Sequence, residues 1–175
     1  MLQIDVDGLS FGFQDTWRAS KYDEWKFYRN NLVKPGNELK AVDVLAVDPD
    51  GTAWLIEVKD YTKMDQDRDA RPMAATLARA FAKKVFDTLA AILPAGLNAP
   101  SEAERNDALA VRGAKRLRVV LHIEQPVTKS RLRPRSIDPA HIQQKIRQLL
   151  KPVDPHPVVA AMARMGHLSW TVVRP

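Results

Sequence analysis

Apolar and polar residues alternate along two runs that flank a single turn, in the segment 40–60 with the sequence KAVDVLAVDPDGTAWLIEVKD. A period of two is typical of β-strands, because successive side chains point to opposite faces of a sheet. The pattern therefore predicts strands over 40–48 and 52–59. The residues between them suit a three-residue hairpin loop in which Gly51 takes the left-handed conformation.

Three charged residues, Asp43, Glu57 and Lys59, interrupt the apolar pattern of this hairpin. An ionised side chain is costly to bury unless it is paired, hydrogen-bonded or bound to a metal, so the three form either a structural ion pair or a functional site. A three-residue loop places Asp43 opposite Glu57 on one face, with Lys59 beside Glu57. Two facing carboxylates repel each other, and bound Mg²⁺, Mn²⁺ or Ca²⁺ would relieve that repulsion. A two-residue loop would instead place Asp43 opposite Val58 and separate the two acids.

The rest of the chain alternates between strand and helix patterns and is predicted to form one α/β domain with a mixed sheet and helices on its faces. Proline, glycine and capping residues mark the ends of these elements. The predicted order is a short strand or hairpin in 1–14, a helix over about 20–32, the two strands above, a helix from Pro72 to about Leu93, a long loop over 94–113 with one helical turn, a strand over 116–124, a helix from Asp138, a short helix over about 157–165 and a strand over 168–173.

The composition indicates a soluble cytoplasmic protein. The 175 residues include no Cys, so disulfides, thiolate nucleophiles and zinc–thiolate sites are excluded. No apolar run approaches the roughly 20 residues of a membrane span, and the amino terminus lacks the pattern of a signal peptide.

Positive charge is concentrated in the second half of the chain. The net charge of +6 comes from 27 Lys and Arg against 21 Asp and Glu. Most of the excess lies in basic clusters over 115–118, 129–135 and 145–151. Such clusters are expected of a protein that binds the phosphate backbone of nucleic acid. Many basic proteins never contact nucleic acid, so charge alone leaves both possibilities open.

The hairpin residues resemble the motif of one known family. Asp43 is followed, after 13 intervening residues, by Glu57-Val58-Lys59 at the end of the next strand, and this arrangement resembles the PD-(D/E)XK nuclease superfamily. The Pro of the superfamily name is absent, since Val42 precedes Asp43. The resemblance covers about residues 17–125 and leaves a basic extension over about 126–175. Within the superfamily, the chain looks most like the nuclease-related (NERD) subgroup, and Mrr-type domains are looser relatives. Four segments carry this resemblance: Gly36-Asn37-Glu38, Val42-Asp43-Val44-Leu45, Asp50-Gly51 and Ile56-Glu57-Val58-Lys59-Asp60-Tyr61.

The resemblance implies a restriction-endonuclease-like core, with a mixed central sheet flanked by helices on both faces. It implies a Mg²⁺-dependent endonuclease that hydrolyses DNA phosphodiester bonds. Asp43, Glu57 and the Val58 carbonyl would hold Mg²⁺, with Mn²⁺ also possible, and Lys59 would orient or activate the attacking water. Glu24 in the first predicted helix would complete the metal site.

Basic residues outside this centre would contact the nucleic acid, namely Lys84, Lys129, Arg131, Arg133 and Arg135. The alternative is a catalytically inactive module of the same fold that binds nucleic acid or a protein partner. RNA is not excluded as the ligand, and a homodimer or a larger defence or repair assembly is compatible with the sequence. A Lys59 side chain bound to Glu57, or a closed cavity, would favour binding over cleavage.

Overall fold

The computed structural model describes residues 1–34, 37–62, 73–126 and 137–175. Two short turns of other helix types lie near the amino terminus, a 3-10 turn over Tyr22–Glu24 and a π-helical turn over Tyr28–Leu32. The α-helices are α1 (Ala74–Asn98), α2 (Glu102–Arg112) and α3 (Pro139–Leu150). The strands are β1 (Leu2–Val6), β2 (Leu9–Phe13), β3 (Arg18–Lys21), β4 (Val33–Lys34), β5 (Asn37–Glu38), β6 (Val44–Val47), β7 (Thr52–Asp60), β8 (Arg116–Glu124), β9 (Val158–Ala160) and β10 (Thr171–Val173).

The central sheet contains five strands in the order β3-β6-β7-β8-β9. Strands β3, β6 and β7 are antiparallel neighbours, whereas β8 is parallel to β7 and β9 is parallel to β8. A parallel pair needs a crossover connection, and α1 and α2 lie in the connection between β7 and β8. The protein is therefore an α/β protein with a mixed sheet, which confirms the predicted class.

The hairpin between β6 and β7 has the predicted register. Val44 pairs with Ile56, as a three-residue loop requires. The Asp48 N–H donates a hydrogen bond to the Thr52 carbonyl at 3.0 Å, which closes the loop. Gly51 has a φ of 82°, a conformation that glycine adopts without steric cost. The chemistry of this loop therefore brings the two predicted acids to the same end of the hairpin.

The two faces of the central sheet are covered by different kinds of structure. Helices α1, α2 and α3 all pack on one face, where Leu55 and Leu121 belong to the same core as Phe81 and Ile146. The three-stranded sheet β1-β2-β10 packs on the other face. The prediction of helices on both faces is therefore wrong for the described residues. The physical reason is that every residue of β2 is buried, so this strand pairs with its neighbours to form a second apolar layer.

The predicted helix over 20–32 is wrong. The segment begins with β3, which pairs with β6, and continues through the 3-10 and π-helical turns. Ser20 does not cap a helix, because its hydroxyl accepts a hydrogen bond from Trp25 Nε1 at 3.2 Å. Tyr22 and Trp25 are buried in the core beneath the helices. Strand pairing and core packing thus override the helical spacing of the aromatic residues.

The predicted long loop over 94–113 is mostly helical. Helix α1 continues through Pro94 to Asn98, and α2 follows after a short connection. Ser101 caps α2, since its hydroxyl accepts a hydrogen bond from the Glu104 N–H at 3.4 Å. A Ser with an acidic residue three positions later is a helix-start signal, so this helix could have been recognised from the sequence.

The carboxyl-terminal part agrees with the prediction at two elements and differs at a third. Strand β8 has the predicted bounds, and Asp138 caps α3 by accepting a hydrogen bond from the Ala140 N–H at 3.0 Å. The predicted helix over 157–165 is wrong, because β9 forms there and pairs with β8. None of the helices formed by the described residues is long and apolar enough to cross a bilayer.

Candidate functional site

A buried carboxylate at the end of β7 is held by two lysines. The Glu57 side chain is 1% exposed and lies on the face of the sheet that carries the helices. The Nζ atoms of Lys59 and Lys84 each lie 2.6 Å from its Oε1 atom. The lysine side chains are 30% and 24% exposed, so each ammonium group reaches from the carboxylate toward solvent. We call Asp43, Glu57, Lys59 and Lys84 the acid–lysine cluster.

Asp43, the residue directly before β6, is the second acid of this cluster. Its Oδ2 atom accepts a hydrogen bond from the Val58 N–H at 2.7 Å, which fixes the carboxylate against β7. Its Oδ1 atom lies 3.7 Å from Lys84 Nζ, which also contacts Glu57. Asp43, Glu57 and Lys59 are therefore brought together as the sequence predicted, and Lys84 connects the two acids.

Close to Lys84, helix α1 is fixed to the segment that leads into β6. Two of its side chains accept hydrogen bonds from backbone N–H groups before the strand, Asp87 Oδ2 from Lys40 at 2.8 Å and Thr88 Oγ1 from Val42 at 3.1 Å. Lys84 is one turn earlier on the same helix, so these bonds set the position of its stem. The neighbouring Lys83 points away from the cluster and pairs with Asp87 at 2.7 Å.

The charges of the cluster are strongly coupled. Burial, and then the nearby Asp43 carboxylate, raise the pKa of Glu57 above its usual value, while Lys59 and Lys84 act in the opposite direction. Burial lowers the pKa of Lys59, but Glu57 and Asp43 outweigh that effect and leave the pKa raised. Lys59 is therefore a charged hydrogen-bond donor, not a neutral amine able to accept a proton.

Two carboxylate oxygens near the cluster are buried without a hydrogen-bond partner among the described residues. They are Glu57 Oε2 and Asp23 Oδ1. Burial, and then Asp43, raise the pKa of Asp23, so Asp23 is the acid that experiences the charge of the cluster. An unpaired buried oxygen is costly unless a cation or a donor approaches it.

Glu24 does not occupy the place that the sequence predicted. Its side chain is half exposed and contacts Lys21 at 3.1 Å and Arg29 at 3.8 Å. Asp23 takes the inward position because the segment forms a 3-10 turn and not the regular helix on which the choice between the two acids depended. Among the described residues, no three His, Asp or Glu side chains converge to form a metal cage.

The predicted contacts in the basic loop lie outside the described residues. They are Lys129, Arg131, Arg133 and Arg135.

Two buried polar pairs on β8 had no signal in the sequence. His122 Nε2 lies 2.9 Å from Glu124 Oε1, and burial lowers the pKa of His122. Arg118 pairs with Asp154 at 3.1 Å. Each pair depends on which strand residues face inward, which the alternating pattern of β8 alone does not specify.

Comparison with known proteins gives a partial relationship. No family model matches the chain, and no solved structure matches it. The chain is similar to the cysteine–tRNA ligase of Neisseria meningitidis serogroup A / serotype 4A (strain DSM 15465 / Z2491), with 28% identity over 167 residues. The match covers 81% of this chain and 24% of that ligase, so the chain spans about a quarter of the length of this relative.

This similarity corrects the function predicted from the sequence. The relative is a tRNA ligase, so the prediction of a metal-dependent endonuclease that hydrolyses DNA is wrong. The geometry agrees with the correction, because Lys59 is bound to Glu57, the arrangement that favours binding over cleavage. The resemblance to the PD-(D/E)XK superfamily stays a prediction, since no matching family model or solved structure tests it.

Proposed function

We propose that this protein is an RNA-binding domain and that transfer RNA is its class of ligand. The observation that carries the proposal is the similarity of 81% of the chain to part of a cysteine–tRNA ligase. The net charge of +6 supports it, because a polyanionic ligand is attracted by an excess of Lys and Arg. The chain matches only part of the ligase, so we assign it binding of the RNA and not the ligase reaction.

The acid–lysine cluster supports binding at the end of the central hairpin. Lys59 and Lys84 each share Glu57 Oε1 and remain partly exposed, so their outer N–H groups can donate to phosphate oxygens. The carboxylate holds both stems in place before the ligand arrives, and fewer side-chain rotamers are then lost on binding. The cluster would therefore position the RNA backbone without reading its sequence.

We also propose that the central strands form a restriction-endonuclease-like core. The antiparallel pair β6 and β7, followed by the parallel strand β8 across α1 and α2, supports this assignment. The cluster lies at the end of β7, where the resemblance of the sequence placed the functional residues. In this proposal the core serves as a scaffold for RNA contact.

A divalent cation, with Mg²⁺ as the best candidate, is a further part of the proposal. Mg²⁺ is commonly held by one or two carboxylates, with water and phosphate oxygens completing its shell. Asp43 and Glu57 supply that number of carboxylates, and Glu57 Oε2 is a buried oxygen with no partner among the described residues. Asp43 and Glu57 are the residues that would hold the ion, and when bound it would supply positive charge that attracts a phosphate group of the RNA.

Replacing Glu57 by Gln is expected to weaken Mg²⁺ binding at least about tenfold, because the variant keeps the shape of the side chain and removes the anionic ligand. Isothermal titration calorimetry of Mg²⁺ into the wild type and into Glu57→Gln measures the change. Glu24→Gln is the matched control, since Glu24 is an acid outside the cluster and should leave the affinity unchanged. Equal weakening in both variants would contradict the assignment.

Binding of unfractionated tRNA is expected to be tight at low salt and to weaken steeply as salt rises. With about four neutralised phosphates, the affinity should fall roughly a hundredfold between about 50 and about 200 mM salt. Fluorescence anisotropy with end-labelled tRNA measures the affinity at each salt concentration, and duplex DNA of similar length is the comparison. Preference for the DNA, or affinity that does not respond to salt, would contradict the proposal. A gel of the recovered RNA should show it intact, and cut RNA would show that the domain does more than bind.

A further inference from the structure

A groove with both polar and apolar lining lies between α3 and the segment 155–158, separate from the acid–lysine cluster. Its volume is about 390 Å³, within the range of small-ligand sites. The lining residues that bear on its chemistry are Arg118, Gln143, Gln144, Arg147, His156 and His167. None of the described residues that line it is acidic.

The floor of the groove is held by one buried carboxylate. Asp154 is 1% exposed, and its Oδ2 atom accepts hydrogen bonds from the Val119 N–H at 2.9 Å and from Arg118 Nε at 3.1 Å. Its Oδ1 atom accepts a third hydrogen bond from the His156 N–H at 2.8 Å. The negative charge of Asp154 is therefore compensated beneath the groove by Arg118 and by two backbone N–H groups, and it does not face a ligand.

Arg118 and Gln143 fix the two walls. The second guanidinium arm of Arg118 donates to the His156 carbonyl at 2.8 Å, and the group lies 5.5 Å from the centre of the Trp54 ring. From α3, Gln143 Nε2 donates to the Pro157 carbonyl at 2.9 Å. The groove is therefore formed before any ligand binds, which lowers the entropy lost on binding.

The remaining polar side chains that line the groove carry no negative charge and do not suit a cationic ligand, and Ala140, Pro155, Pro157 and Val158 complete the lining. Arg147, Gln144, His156 and His167 are exposed on the groove. A guanidinium group beside an amide and two imidazoles is suited to a phosphate, and a guanidinium group can donate two parallel hydrogen bonds to one phosphate. The volume leaves room for the sugar or base attached to that phosphate.

We propose that this groove binds a nucleoside phosphate, with its phosphate group on Arg147. The inference rests on the proposed function in one respect, because RNA would supply the nucleoside phosphate as one unit of its chain. A free nucleotide offers the same chemistry, and the experiments below separate the two sources.

The direct test uses AMP and adenosine with the whole chain. In ¹H–¹⁵N NMR spectra, AMP should shift the amide signals of Gln144 and Val158, and adenosine should bind at least fivefold more weakly. Arg147→Gln should lower the affinity for AMP at least fivefold. Lys145→Gln removes the same charge from the same helix outside the groove and should leave AMP binding unchanged. Equal binding of AMP and adenosine, or no effect of Arg147→Gln, would overturn the proposal.

The second test uses tRNA with Arg147→Gln, and with Lys26→Gln as its control. Arg147→Gln should lower the slope of the logarithm of affinity against the logarithm of salt concentration by about one, the change expected when one phosphate contact is lost. Lys26→Gln, which removes the same charge from an exposed residue outside the basic clusters, should leave the slope unchanged. If AMP binds the groove and tRNA does not bind the protein, the groove is a free-nucleotide site and the proposed function fails. If tRNA binds and neither AMP nor Arg147→Gln has an effect, the proposed function stands and the groove proposal fails.

Discussion

Replacing Lys59 and Lys84 together by Met is expected to lower the free energy of unfolding by about 3 kcal/mol or more near neutral pH, because a buried carboxylate loses both of its cationic partners. Glu57 is almost fully buried, and both ammonium groups contact the same oxygen. Met keeps most of the length and apolar surface of each lysine stem, so the loss reports mainly the charge. Urea unfolding measures it.

The matched control is Lys83→Met, one residue before Lys84 on α1. Lys83 pairs with Asp87 at the surface, and an exposed pair of this kind contributes less than about 1 kcal/mol. The control should therefore unfold within about 1 kcal/mol of the wild type. A double variant as stable as this control would show that the acid–lysine cluster is not a buried charge network.

The same double variant should lose its stability in a pH-dependent way. Burial and Asp43 already raise the pKa of Glu57 in the folded state, and removal of the lysines raises it further. A carboxyl group with a raised pKa contributes stability that is present below its unfolded-state pKa and is lost as pH rises through its folded-state pKa. The free energy of unfolding of the double variant should thus lie only slightly below that of the wild type near about pH 4, and the difference should grow toward about pH 8. A difference that is constant over this range would contradict the assignment to Glu57.

Asp154→Ala is expected to destabilise the fold by about 3 kcal/mol, since it removes the acceptor of three hydrogen bonds and leaves the partly buried Arg118 without its counter-charge. The three donors come from β8 and from the segment after α3, so the variant should also loosen the floor of the groove. Thermal and urea unfolding measure the first effect, and loss of the AMP-induced NMR shifts measures the second.

Asp50→Ala is the control for this experiment, because Asp50 is an exposed acid in the hairpin loop. It should change the free energy of unfolding by less than about 0.5 kcal/mol, as most surface substitutions do. Similar losses for Asp154→Ala and Asp50→Ala would mean that the buried carboxylate contributes little to either the fold or the groove.

The predictions that the structure confirms depend on short stretches of chain. The loop chemistry around Gly51 defined the register of β6 and β7, and the register carried Asp43 and Glu57 to one place. The bounds of β8 followed from alternation within nine residues, and the start of α3 followed from the capping residue Asp138. The hairpin and the helix start are stabilised by neighbours in sequence, and the bounds of β8 follow from its own alternation, although its partners β7 and β9 are distant in the chain.

The predictions that failed concern competition between local preference and distant partners. The aromatic spacing over 20–32 is compatible with a helix, but pairing with β6 converts its first residues to β3. In the segment 157–165, Val158–Ala160 likewise form a strand because they pair with β8. The choice of Glu24 over Asp23 failed with the helix on which it depended.

The sequence by itself determined the hairpin, its register and the meeting of two acids and a lysine, because a tight turn connects them. Only the tertiary structure decided that Lys84, 27 residues after Glu57, binds that carboxylate, since this depends on how α1 packs against the sheet. It also decided that Asp154 and Arg118, 36 residues apart, form the floor of a groove. Contacts of this kind are set by the packing of whole elements, which no local pattern of apolar and polar residues specifies.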